Sequence, residues 1–153
     1  MEAEVYSDRR VARFISEQLE PVRVHVREQK DEYRRLSERY NAQWTPTILI
    51  LDSEGQERHR IEGFLPVDDF LPQVALGVAK SAFQRQEYAD AERRYREIVD
   101  KFSSTDAAAE ALYWAGVSKY KASGDASALK ATSTAFRERY QDTIWAKKAS
   151  VWE

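Results

Sequence analysis

The sequence contains no cysteine, and this absence excludes more chemistry than any other feature of its composition. Disulfide exchange, thiolate catalysis and metal binding by cysteine all need a sulfur atom that these 153 residues do not contain. Histidine is also scarce, because His25 and His59 are the only two. Two histidines are too few for a histidine-rich metal site, and each is expected to be structural or solvent-facing. We therefore predict no catalytic residue, no metal ligand, no cofactor and no enzyme activity in this chain.

Long hydrophobic segments and a strong excess of one charge are missing as well. The longest apolar run, Ile48 to Leu51, is far shorter than the ~20 residues of a membrane-spanning helix. The first twenty residues carry charges throughout, unlike a signal peptide. The formal net charge is −2, with 11 basic and 15 acidic residues up to Leu76 and 13 and 11 after it. The sequence thus predicts no nucleic-acid partner, no membrane partner and a cytoplasmic location.

The first 76 residues show alternating patterns of helices and short strands. Apolar residues recur at helical spacing after Ser7 and Asp8, either of which can cap the first turn, and the pattern ends before Pro21. A strand is predicted for "VRVHV", residues 22–26, and a second helix from about Lys30 to Tyr40. "TILILD", residues 47–52, is typical of a strand buried on both faces. The turn that follows contains Gly55 and predicts an antiparallel hairpin with residues 56–63.

From Pro66 onward the sequence predicts helices and short turns only, and residues 77–153 contain an approximate repeat. Equivalent residues recur at offsets of 37 and 38: Phe83 and Tyr120, Ala91 and Ala128, Phe102 and Tyr140, Trp114 and Trp152. The repeat resembles tetratricopeptide (TPR) motifs, although it is longer than their period of about 34 residues. It also has Ser103 and Ser104 where that motif closes with a proline. An aromatic stripe of Tyr113, Trp114, Tyr120, Trp145 and Trp152 could bind a partner, but at helical spacing internal packing is the commoner role.

The segment "WTPT", residues 44–47, followed by "ILILDSEGQERHRIEGF" resembles the thioredoxin superfamily in its order of helix, strand, helix, Thr-Pro-Thr, hairpin and helix. In that family the proline is cis, and its loop lies beside the redox cysteines and offers its backbone to an extended peptide. The resemblance therefore implies that Pro46 is the cis-proline and that the main chain of Thr45 pairs with a bound peptide. Trp44 would contact that peptide if it is exposed, and would be part of the core if it is buried.

The opening "MEAEVYSD" resembles the part of this family just after its Cys-x-x-Cys pair. The family's preceding strand and both cysteines would then lie upstream of Met1, as would any targeting signal. In the family that strand lies between the counterparts of "VRVHV" and "TILIL", so its loss would leave a gap inside the sheet. We expect either that the flanking strands pair directly, that another chain inserts a strand, or that the natural protein is longer, and we favour the third.

These observations predict an α/β protein: an incomplete thioredoxin-like domain at residues 1–76 and an all-α, TPR-like region at residues 77–153. The predicted function is the binding of protein or peptide clients through Trp44, Thr45 and Pro46, without redox activity, as in a co-chaperone. A second copy of the chain could also pair with the open positions of the sheet. The alternative function is that of the C-terminal part of a thiol-disulfide oxidoreductase whose Cys-x-x-Cys lies upstream. A third interpretation is that both parts are structural pieces of a larger assembly.

Overall fold

The computed structural model describes residues 2–153, which divide into two compact units between Leu71 and Pro72. Met1, where the incomplete fold was expected to begin, lies outside the described residues. The N-terminal unit combines two strands with helices, whereas the C-terminal unit, Pro72–Glu153, is helical. The predicted α/β class is therefore confirmed, with a small sheet followed by a helical region.

The N-terminal unit begins with one π-helical segment and two α-helices. The π-helical segment Glu2–Tyr6 precedes α1 (Arg9–Gln18), whose first turn is capped by Asp8, since its carboxylate accepts the Arg10 N–H at 2.8 Å. Helix α2 (Lys30–Tyr40) has the predicted bounds and ends at Asn41, whose φ of 50° lies in the left-handed region. The Arg10 guanidinium also lies 2.9 Å from the Asp68 carboxylate, which ties α1 to the first turn of the helix that begins at Val67.

The sheet consists of β1 (Thr47–Leu51) and β2 (Glu57–Glu62), paired antiparallel as predicted. Gly55 has a φ of 76° in the turn between them, a conformation that glycine adopts without a steric penalty. Leu49 lies opposite Arg60 and Ile48 opposite Ile61, so one face of the hairpin carries Ile48, Ile50 and Ile61. Ile50 and Ile61 are buried on that face.

Two predictions about the sheet are wrong. Residues 22–26 form no strand, and Val22 is 86% exposed, because among the described residues no strand lies beside this segment to pair with its backbone. Strand β1 is not buried on both faces either, since only Ile50 is buried and its neighbours are half-buried. A strand with a single partner has fewer groups to cover it than a strand inside a larger sheet.

The helical part of the fold begins with α3 (Val67–Gln84), which starts in the N-terminal unit and continues into the C-terminal one. Four further helices follow: α4 (Tyr88–Lys101), α5 (Asp106–Ser123), α6 (Ser127–Glu138) and α7 (Ile144–Ala149), and then a 3-10 turn, Ser150–Trp152. Their core is formed by buried alanines together with Tyr95, Ile98 and Phe136. No helix of residues 2–153 is long and apolar enough to cross a membrane.

The aromatic stripe of the C-terminal unit takes part in internal packing. Tyr113 stacks on Trp152 with ring centroids 4.7 Å apart, and it also contacts Trp114 and Trp145. These rings are partly buried against the alanine-rich core, while Tyr120 is half-buried near the end of α5. The structure therefore supports packing rather than an open partner-binding stripe for these residues.

The sequence repeat corresponds to a repeated turn. After α4 the Thr105 hydroxyl donates to the Phe102 carbonyl at 2.8 Å, and after α6 the Thr143 hydroxyl donates to the Tyr140 carbonyl at 2.7 Å. The main-chain N–H of each threonine donates to the same carbonyl, at 3.0 and 3.1 Å. Two turns 38 residues apart thus share these two hydrogen bonds and each leads into a helix, although only Thr143 also accepts an N–H of its helix, that of Ala146.

Candidate functional site

Arg60 on β2 fixes the end of α2 and so determines where the loop to β1 begins. Its guanidinium donates to the Tyr40 carbonyl and, at 3.3 Å, to the Asn41 carbonyl, two of the groups that a helix C-terminus leaves without helical partners. The same group binds Glu57 at 2.8 Å and Glu62 at 2.9 Å. The hydrogen bonds to the carboxylates of Glu57 and then Glu62 raise the pKa of Arg60 above its usual value.

The far end of the hairpin is held by Asp52. Its carboxylate accepts main-chain N–H groups from Gln56 and Glu54, each at 2.9 Å, and binds Arg58 through two nitrogens at 2.8 and 2.6 Å. The Gln56 N–H, followed by Arg58, holds the pKa of Asp52 below its usual value. The Tyr40 hydroxyl donates to the Gly55 carbonyl at 2.9 Å, so α2 also packs against this turn.

The loop between α2 and β1 contains all three predicted site residues, and hydrogen bonds to the carbonyls of Trp44 and Pro46 hold it in place. The Thr47 hydroxyl donates to the Trp44 carbonyl at 2.6 Å, and the Gly63 N–H donates to the Pro46 carbonyl at 2.8 Å. The peptide bond between Thr45 and Pro46 is cis. Gly63 has a φ of 84°, which explains why glycine stands at this position.

Among residues 2–153 the main chain of Thr45 is unpaired, as is that of Gln43 two residues earlier. Within the described part of the chain, no group donates to the Thr45 carbonyl or accepts from its N–H. Trp44 beside it is 67% exposed, and both Thr45 and Pro46 are exposed. The sequence left open whether Trp44 is core or surface, and the structure places it on the surface.

Phe64 is a further member of this surface that the sequence patterns did not single out. The register of the hairpin pairs Thr47 with Glu62, and the Gly63 N–H donates to the Pro46 carbonyl, so Phe64 and Thr45 follow these contacts at the same end of the hairpin. Phe64 is 52% exposed. No local sequence pattern predicts that Phe64 lies here, because its position depends on the register of the hairpin.

The resulting surface has the parts that an extended peptide needs for binding. An unpaired N–H and carbonyl on one residue can each make a main-chain hydrogen bond to an added strand. Trp44 and Phe64 provide apolar area on rigid rings. None of the described His, Asp and Glu side chains form a group of three or more that could hold a metal ion.

The C-terminal unit contains a separate polar contact between helices. The Lys80 ammonium of α3 lies 2.6 Å from the Glu110 carboxylate of α5, and both side chains are mostly buried. Tyr95 of α4 is fully buried nearby, and burial together with the Glu110 charge raises the pKa of its hydroxyl. Lys80 and Glu110 join two helices, which is a structural role.

The comparisons with known proteins agree with the architecture of the first half. Residues 1–76 match the family model described as a thioredoxin-like domain. Searches of curated proteins and of solved structures found no match to the chain.

Proposed function

We propose that this chain, in which residues 1–76 form a thioredoxin-like domain, binds extended segments of client proteins at Trp44, Thr45 and Pro46. The observation that carries the proposal is the unpaired main chain of Thr45 beside the exposed Trp44. A client strand would add its own N–H and carbonyl groups to Thr45. Its side chains would lie against Trp44 and Phe64.

We also propose that the helical region is TPR-like and gives the chain a second surface for protein contacts, as in a co-chaperone. The repeated turns at Thr105 and Thr143 and the repeated small residues Ala91 and Ala128, both buried, support helix hairpins of one kind stacked in series. The period of 37 to 38 residues is longer than that of the common TPR motif.

The test of client binding uses peptides that differ only in their backbone donors. A fluorescein-labelled octapeptide of alternating valine and serine is titrated with the protein, and fluorescence anisotropy gives its Kd. Two further peptides carry N-methyl groups on all odd or on all even residues. Because the N–H groups of a strand point alternately to its two sides, one methylated peptide should bind at least fivefold more weakly and the other should bind nearly as well as the parent.

Variants of the protein locate the binding site. Trp44→Ala and Phe64→Ala should each raise the Kd of the parent peptide about tenfold or more, because each removes a large exposed ring. Val22→Ser is the matched control, since it removes an apolar side chain that is even more exposed in the same unit. Equal losses with both methylated peptides, or an equal loss in Val22→Ser, would contradict strand addition at Thr45.

We propose further that these residues catalyse no thiol-disulfide exchange, because the reaction needs a thiolate and the sequence has no cysteine. The expected result is that insulin reduction by dithiothreitol proceeds at the same rate with and without the protein. Acceleration above the blank would refute the proposal. Light scattering with size-exclusion chromatography would show whether a second copy takes the place of the client strand.

A further inference from the structure

Helix α7 and the 3-10 turn after it have an exposed face that no other helix among residues 2–153 covers. Ile144 is 59% exposed and Val151 is 80% exposed, and the exposed Lys147 lies between them at helical spacing. Lys148 is also exposed, with its ammonium 4.1 Å from the centre of the Trp145 ring. No carboxylate of the described residues lies within ion-pair distance of either lysine.

The internal repeat allows this face of α7 to be compared with the equivalent residues of α5. At an offset of 38, Lys147 corresponds to Ala109 and Val151 to Tyr113, both on α5. Ala109 is buried in the core, and Tyr113 is covered by the rings of Trp145 and Trp152. At these two positions the face is covered on α5 and exposed on α7, where a lysine stands in place of the small apolar residue, whereas Asp106, the equivalent of Ile144, is exposed on α5 as well.

We propose that this α7 face, defined by Ile144, Lys147, Lys148 and Val151, docks an acidic amphipathic helix of another protein. Ile144 and Val151 provide two apolar contacts seven residues apart, which match one face of a helix. Lys147 and Lys148 lie between them, so the partner needs carboxylates between its own apolar residues. This inference does not depend on peptide binding at Thr45.

A second copy of the chain fits this face poorly. Among the described residues, the other exposed large apolar side chains lie in loops or in the π-helical segment, at Tyr6, Val22, Val26, Trp44 and Phe64. Helices α1 to α6 thus offer no exposed apolar face, and pairing α7 with α7 would bring lysines against lysines. Charge complementarity favours a partner with acidic residues instead.

The experiment uses two labelled peptides of fourteen residues based on alanine and glutamine. Both carry leucines seven residues apart, with glutamates between the leucines in one and lysines at the same positions in the other. Anisotropy titrations with the full chain should show at least tenfold tighter binding of the acidic peptide. The double variant Lys147→Glu/Lys148→Glu should reverse this preference, and Ile144→Ser/Val151→Ser should weaken the acidic peptide at least tenfold.

The control is Lys119→Glu/Lys121→Glu, which changes the net charge equally at exposed lysines of α5. It should retain the preference for the acidic peptide, and circular dichroism should show that all variants keep their helices. Equal binding of both peptides, or a reversal in the control variant, would overturn the proposal. Self-association of the parent chain that disappears in Ile144→Ser/Val151→Ser would also overturn it, because a second copy would then cover the face.

Discussion

Replacing Gly116 by alanine should destabilise the C-terminal unit, although the same change stabilises most exposed helices. Gly116 lies on α5, where a Cβ atom would come 2.0 Å from the Oγ1 of Thr132 on α6 and 2.8 Å from its Cβ and Cγ2. Thr132 is buried, and its hydroxyl donates to the Ala128 carbonyl at 2.8 Å. Rotation of the side chain cannot relieve the contact, because the Cβ of Thr132 is itself too close.

The expected change in the free energy of unfolding follows from two opposing effects. Alanine in place of glycine in a helix lowers the free energy of the folded state by about 1 kcal/mol. Overpacking of a well-filled core raises it by about 1–3 kcal/mol, and three contacts well below van der Waals distance argue for the upper part of this range. We expect a net loss of about 1–2 kcal/mol in Gly116→Ala, or a fall in Tm of about 4–16 °C for a unit of this size.

The assay is urea unfolding followed by tryptophan fluorescence in a Trp44→Phe background. In that background the three remaining tryptophans, Trp114, Trp145 and Trp152, all lie in the C-terminal unit, so the signal reports on this unit alone. Thr132→Ala provides the control, because it removes the Oγ1 and Cγ2 contacts. The double variant should lose about 1 kcal/mol less than the sum of the two single variants.

Two results would refute the reasoning. One is a gain in stability of about 1 kcal/mol in Gly116→Ala, the value expected where nothing crowds the new methyl group. The other is strict additivity in the double variant, which would mean that Thr132 does not meet the methyl group. Either result would show that α5 and α6 do not approach each other as closely as described.

Three further predictions concern polar groups. Asp52→Asn should lower the free energy of unfolding at pH 7, because it removes the ion pair with Arg58. Since the pKa of Asp52 is lowered in the folded state, the difference between variant and parent should shrink as the pH falls below about 4. Denaturant titrations at several pH values would show this. Ser118→Ala should raise the free energy of unfolding by about 0.5–2 kcal/mol, since the buried hydroxyl has no described partner, and a loss in urea unfolding would contradict this. Lys80→Met should cost about 1–2 kcal/mol by leaving Glu110 unpaired, and Lys80→Met/Glu110→Leu should recover part of it in thermal unfolding.

Local signals in the sequence were sufficient for elements that depend mainly on their own residues. Helix α2 begins at Lys30 and ends at Tyr40 as predicted, and Asp8 caps α1. The hairpin follows from two apolar stretches joined by a turn that contains Gly55. In each case the signal and the structure that it predicts lie within about twenty residues of each other.

Features that depend on distant neighbours could not be predicted in this way. The alternating valines of residues 22–26 are typical of a strand, but a strand also needs a partner for its backbone, and the described chain offers none. The exposure of Trp44 depends on which groups lie over it, which no local pattern encodes. Phe64 joins the candidate site only through the register of the hairpin, and the contact between Gly116 and Thr132 depends on how closely two helices approach.

The two matching turns, Phe102 to Thr105 and Tyr140 to Thr143, have a consequence for engineering the chain. In each turn the N–H and the hydroxyl of a threonine donate to the carbonyl three residues earlier, directly before a new helix, and the Tyr140 hydroxyl also donates to the Ser103 carbonyl of the first turn. A duplicated copy of residues 105–142 inserted directly after residue 142 would therefore begin and end at compatible joints. Such an insertion should lengthen the helical array by one hairpin without redesign of the connections.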